Sequence, residues 1–140
     1  MNRIRADLHD TTMTSAPHPL LSTWAEQQGI PAAAFTDAGR LAVTFDTVRV
    51  HLADVRGRSV LVEARIADLP VAPVPRATVV EKALKTAAAR LRASAVSLTT
   101  DEAAGALWLQ RHVAADADTE SLTSAVEDLV NEVELWRKVI

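Results

Sequence analysis

The repeat of apolar residues changes four times along this chain, and that alternation restricts the folds open to it more than any single motif does. Leu20, Leu21, Trp24 and Ala25 form one stripe of a short amphipathic helix, and Gly29 followed by Pro31 supplies a stop. The spacing predicts a first helix over 18–28. After the Asp37-Ala38-Gly39 turn the period falls to two. Leu41, Val43 and Phe45, then Val48, Val50 and Leu52, then Val60, Val62, Ala64 and Ile66 alternate with other residues, and Arg56-Gly57-Arg58 forms a hairpin loop before the last of these runs. Three consecutive antiparallel strands follow from this pattern. Pro70, Pro73 and Pro75 end the sheet and begin a connector. Thr78 and Glu81 read as a capping box, with Val80, Ala83, Leu84, Ala87, Ala88 and Leu91 at helical spacing over 77–93. Val96 and Leu98 open a fourth strand, residues 101–105 turn, and Leu107, Leu109 and Val113 lie on a fifth. Asp118 caps a last helix over 119–138, with Leu122, Val126, Leu129, Val133 and Trp136 on its apolar face. The expected fold is therefore α+β: one domain with an antiparallel, twisted five-stranded sheet and three helices in the order α-β-β-β-α-β-β-α.

Before the first helix, residues 1–16 mix charge with Thr, Ser and Ala and show no period, so they read as a disordered leader to a domain spanning 17–140. With 18 acidic against 15 basic residues the net charge is −3, which argues against nucleic acid as a partner. The absence of cysteine removes disulfides, thiol catalysis and thiolate metal sites together. The charged start lacks the apolar stretch of a secretory signal, and no apolar run long enough to insert into a membrane occurs, so the chain is expected to stay in the compartment where it is made.

No arrangement of residues points to catalysis, to a metal or to a cofactor. His9, His18, His51 and His112 lack the spacing that sets two ligands on one helix face, and solvated strand and leader positions account for them. Gly29, Gly39, Gly57 and Gly105 are isolated at turns and helix ends, where they make no phosphate loop. The acidic pairs Asp101-Glu102 and Glu127-Asp128 fall on a turn and on a polar helix face. Ser59, Ser94, Ser97 and Ser121 lack the context of a nucleophile. What stands out is apolar surface: Leu61 beside Val60 and Val62, and Trp108 beside Leu107 and Leu109, give the sheet a second partly apolar face. Either the helices cover both faces or something else completes one of them.

Element order and three local patterns resemble the class I chaperones of bacterial type III secretion systems, the Tir-chaperone-like family. The patterns are Leu20-Leu21 through Trp24 to Gly29-Ile30-Pro31; Asp37-Ala38-Gly39-Arg40-Leu41 running into Val43 and Phe45-Asp46; and Leu129-Val130 with Glu134-Leu135-Trp136-Arg137. This resemblance covers about residues 17–140. It implies a small acidic homodimer of the bacterial cytoplasm that binds the N-terminal segment of one or a few secreted effector proteins and holds it extended, without catalysis or cofactor. It further implies an effector-binding surface at Leu21, Trp24, Ile30, Phe35, Leu41, Val43 and Phe45. A two-fold interface is implied at Leu84, Ala87, Ala88 and Leu91, with Val96, Leu98 and Trp108 beside them. The small side chains of the second helix suit a symmetric contact, because two copies of one face can approach closely. The leader and the closely spaced prolines depart from the family's pattern. A regulator or other binding module of the same architecture, similar to the YbjN-like bacterial proteins, is the alternative, since fold alone does not give function.

Overall fold

A computed structural model describes residues 18–101, 103 and 105–140, together with the backbone of residues 4–6. The five expected strands and three helices are present in the expected order: α1 (Pro19–Gln27), β2 (Leu41–Phe45), β3 (Val48–Val55), β4 (Ser59–Asp68), α2 (Pro73–Arg90), β5 (Ser97–Asp101), β6 (Ala106–Ala114) and α3 (Thr119–Val139). A sixth strand, β1 (Ile4–Ala6), precedes them and lies within the stretch expected to be an unstructured leader. It pairs antiparallel with β2, Ile4 opposite Phe45 and Ala6 opposite Val43. Three residues at a sheet edge leave no periodic trace, and only the edge offered by β2 gives them partners. The rest of the expected leader, 1–3 and 7–16, lies outside the described residues.

The sheet runs β1-β2-β3-β4-β6-β5, antiparallel throughout. The second hairpin docks through β6 rather than β5, so β5 forms the far edge. The Arg56-Gly57-Arg58 loop closes β3 onto β4 as expected, with Arg56 and Gly57 both at positive φ and the Gly57 N–H donating to Asp54 Oδ1 at 2.9 Å. Alternation places Val48, Val50, Leu52, Val60, Val62, Ala64, Leu107 and Leu109 on one face, where they form a single core with α1 and α3. Leu98 pairs with Leu109, so it faces the same way, toward α2. All three helices therefore lie on one side of the sheet.

Local chemistry sets the helix ends. At the start of α1 the buried His18 side chain accepts the Leu20 N–H at 3.1 Å; this histidine is a helix cap rather than the solvated leader residue expected. At its end Gly29 takes φ +72, the Gly29 N–H donates to Glu26 O and the Ile30 N–H to Ala25 O, a Schellman closure that only a residue tolerant of positive φ completes without strain. Asp118 caps α3 as expected, accepting the Ser121 N–H at 2.8 Å and the Ser121 hydroxyl at 2.7 Å. These bonds, the hydroxyl's first, hold its carboxyl below the ordinary value of 3.8.

Helix α2 differs from expectation. It begins at Pro73, ahead of the start at Ala77 that the capping-box reading gives, and its N-cap, Ala72, makes no side-chain cap bond. Thr78 instead donates its hydroxyl to Val74 O at 3.1 Å, inside the helix. Pro73 and Pro75 occupy the first turn, where the N–H that proline lacks would have no helical partner in any case.

Candidate interaction surfaces

Three surfaces come out of this architecture. The first is α2. Of its eighteen residues only Ala83 is buried, while Leu84 is 60% exposed and Leu91, just past its end, 76% exposed. Leu84, Ala87, Ala88 and Leu91 sit at steps of three and four, so they make one stripe. Ala88 is exposed and Ala87 half-buried. Beside this stripe, a cleft of about 340 Å³ is lined by Leu84, Ala87, Leu91, Val96, Leu98 and Trp136, among others. Besides buried Ala83, only the partly buried Val79, Val80 and Ala87 of α2 pack on the core, so its tertiary packing is thin, and the exposed leucines lie where a second surface would add to it.

A charged link joins α2 to the body beside the packing of Ala83, Val79, Val80 and Ala87 on the core. Arg90 Nε donates to both carboxylate oxygens of Glu132 on α3, at 3.1 and 2.9 Å, and Arg90 Nη2 also donates to Oε1. The hydrogen bond to Glu132 raises the Arg90 guanidinium above its already high ordinary value. Glu132 is buried among α3 core residues and accepts a further bond from Trp136 Nε1 at 3.2 Å. The carboxylate is thus satisfied on both sides, which is the condition for holding a charge out of water.

The second surface lies at the end of α1, where the Schellman closure turns the chain back. A cleft of about 430 Å³ is lined there by Ala25, Glu26, Gly29, Ile30, Pro31 and Phe35, among others. Of the seven effector-binding residues implied by resemblance, Ile30 and Phe35 line this cleft; Leu21, Trp24, Leu41, Val43 and Phe45 do not. All seven belong to the core cluster, and Leu21 and Val43 have no exposure at all. The alternation that marks a groove also marks a core, and here α1 and α3 pack over it. Trp24 Nε1 donates to Thr123 Oγ1 on α3 at 3.0 Å, which holds the two helices together.

The third surface is the face of the sheet opposite the helices. Arg49, Leu61, Glu63, Arg65, Trp108 and Gln110 point to it and are half-buried or exposed. Trp108 is therefore separated from Leu84, Ala87, Ala88, Leu91, Val96 and Leu98, with which it was grouped: it stands opposite Thr99 and Arg65, one residue out of phase with Leu107 and Leu109. Its ring meets that of His51 edge to face at 5.6 Å. Gln110 Nε2 donates to Glu63 Oε2 at 2.8 Å across the same face.

Among the described residues no group of three His, Cys, Asp or Glu is placed to hold a metal ion, and no helix is long and apolar enough to cross a membrane.

No curated protein matches this sequence. Solved structures do resemble it. A chain of the HopA1–SchA chaperone–effector complex superposes with a TM-score of 0.62 at 19% identity, over 85% of this chain and 91% of that one. A chain of the ExsC–ExsE complex gives 0.59 at 19%, over 87% and 91%. A chain from the Yersinia pestis type III secretion chaperone SycH in complex with a stable fragment of YscM2 gives 0.63 at 19%, over 85% and 98%. At this identity the likeness is one of fold. The sequence itself matches the model of the Tir chaperone protein (CesT) family over residues 19–137, from the first turn of α1 to the last turn of α3, and the chain belongs to that family.

Proposed function

We propose that this chain is a homodimeric chaperone of a bacterial type III secretion system, acting in the cytoplasm, which binds the N-terminal segment of a secreted effector and keeps it extended for export. The observation that carries this reading is the family match over nearly the whole folded domain. Structures of the same fold that contain a chaperone with its effector, or with a fragment of another protein, support it.

The geometry supports a division of labour. The α2 stripe with Val96 and Leu98 is the seam between two copies, because the exposed Leu84 and Leu91 lie there on one helix face beside an apolar cleft. The client lies at the α1 cleft, where Ile30 and Phe35 meet its apolar side chains. Leu21, Trp24, Leu41, Val43 and Phe45 act from the core, holding α1 and β2 in place. On the β2 side, β1 covers three of the five β2 residues, so a client strand added there takes the place of β1. Strand addition supplies main-chain hydrogen bonds whatever the client sequence, and the cleft supplies the choice of side chain. The reading involves no catalysis and no cofactor.

The test is affinity capture of the tagged protein from its native host, with mass spectrometry of what co-purifies. One dominant secreted protein, retained through its N-terminal segment alone, is the expected result. Recovery of cytoplasmic regulators only, or of nothing, under conditions that induce secretion would overturn the assignment.

A further inference from the structure

We propose that the helix-free face of the sheet carries a separate binding site, a cationic cleft that takes a short acidic stretch of a partner polypeptide. The site is independent of the α2 seam and of the α1 cleft, and its assignment stands whether or not the chaperone reading does.

A cleft of about 510 Å³ opens where β3 and β4 pass the end of α3, with Arg49, His51, Arg65, Asp68, Trp108 and Arg137 among its lining residues. Three arginines face one aspartate there, in a chain whose net charge is −3. Such a local reversal of sign concentrates anionic groups at one place on an otherwise acidic molecule. Asp68 is engaged by Arg65. Arg137 Nη1 donates to Thr47 O at 3.3 Å, which steers the guanidinium from the end of α3 toward the cleft and leaves further N–H donors on it. Arg49 and His51 each hold another interaction within the chain, so their contribution is charge and shape.

Among the residues that line the cleft, Trp108 carries a donor without a partner. Trp108 Nε1 is shielded from solvent and has no hydrogen-bond acceptor. The other two tryptophans, Trp24 and Trp136, both donate to a side-chain oxygen. An unbonded donor in a shielded position is unfavourable, and an incoming acceptor relieves it. A carboxylate answers both features, because it accepts from an indole N–H and from guanidinium groups and brings the charge that the arginines call for.

The occupant is a peptide rather than a nucleic acid. With Asp68 already paired to Arg65, the three arginines leave charge for about two carboxylates; they make no continuous basic track, and the chain's net negative charge opposes a long polyanion. The half-buried ring of Trp108, packed beside His51, gives apolar surface for the side chains that separate acidic residues in an extended segment.

The test uses the full chain labelled with nitrogen-15. The indole N–H resonance of Trp108 is followed while acetyl-hexaglutamate-amide is added, and the Trp24 and Trp136 resonances serve as internal controls. The expected result is a saturable shift of Trp108 alone, weakened at least tenfold in Arg49→Glu/Arg137→Glu and to a lesser degree in Arg49→Gln/Arg137→Gln. An unmoved Trp24 resonance, from a residue packed far from either substitution in sequence, shows that each variant is folded, and the glutamine pair carries the test if the glutamate pair fails to fold. Absence of a Trp108 shift, or affinity unchanged in a folded variant, would overturn the site. Equal or tighter binding of inorganic phosphate, hexalysine or a single-stranded oligonucleotide would overturn the assignment of its occupant.

Discussion

Replacing Leu84 by aspartate separates the proposed seam from the fold. Leu84 and Leu91 keep 60% and 76% of their surface exposed in the single chain. Burial of a leucine side chain contributes roughly 1.5–3 kcal/mol. A two-fold contact uses each residue twice, so four leucines, each burying about two-thirds of its surface, contribute roughly 4–8 kcal/mol to the pair. Leu84→Asp removes about half of this from both sides at once and sets two carboxylates in an apolar seam. A loss of roughly 2–4 kcal/mol raises the dimer Kd by about 30- to 700-fold. The monomer should hardly notice, since an exposed substitution outside any special contact changes stability by about 0.5 kcal/mol or less. Sedimentation equilibrium over a range of concentrations reads the result: twice 15.1 kDa for the wild type and 15.1 kDa for the variant at micromolar concentration, with the same thermal midpoint for the monomeric fold. A variant that stays dimeric with wild-type affinity, or a wild type that is monomeric at high concentration, would refute the reasoning.

Other consequences follow from residues whose roles are more local. Val43→Asp places a charge at a position with no exposure, at a cost of several kcal/mol against a domain stability of about 5–15 kcal/mol, so circular dichroism should show loss of the fold rather than a selective loss of client binding. Glu132→Ala leaves Trp136 Nε1 without its acceptor, a loss of roughly 1–3 kcal/mol, and frees Arg90; hydrogen exchange should accelerate along α2 more than along α3. Asp118→Ala should lower the thermal midpoint by a few degrees at neutral pH. Because the folded carboxyl lies below 3.8, that cap's stabilisation is complete above 3.8 and fades as pH falls through the lowered value, so the gap between wild type and variant should close in acid.

Sequence reasoning succeeded where the determinants were local. The Gly29 closure, the Arg56-Gly57-Arg58 loop and the Asp118 cap each depend on neighbours a few residues away, and the elements they bound lie within about two residues of expectation. The start of α2 was missed because proline carries two meanings: it breaks a strand, but it also suits the first turn of a helix, and Pro73 and Pro75 do the second. Strand β1 was missed because it exists only through its pairing with β2, some forty residues away. Burial was the least legible quantity. Val43 and Phe45 have the same pattern whether a helix or a client covers them, and only the packing of α1 and α3 decides. Trp108 was legible in part, since its phase against Leu107 and Leu109 already sets it on the opposite face. The cationic cleft was not, because it draws Arg49, Arg65, Trp108 and Arg137 from four elements.

The central claim, that two copies of this chain hold one extended client segment, is tested most directly by native mass spectrometry of the complex with the captured protein's N-terminal segment. The account predicts two copies of the chain and one client segment in a single species, and dissociation into single chains when Leu84→Asp is used. One chain per client, with the α2 stripe still exposed, would contradict it.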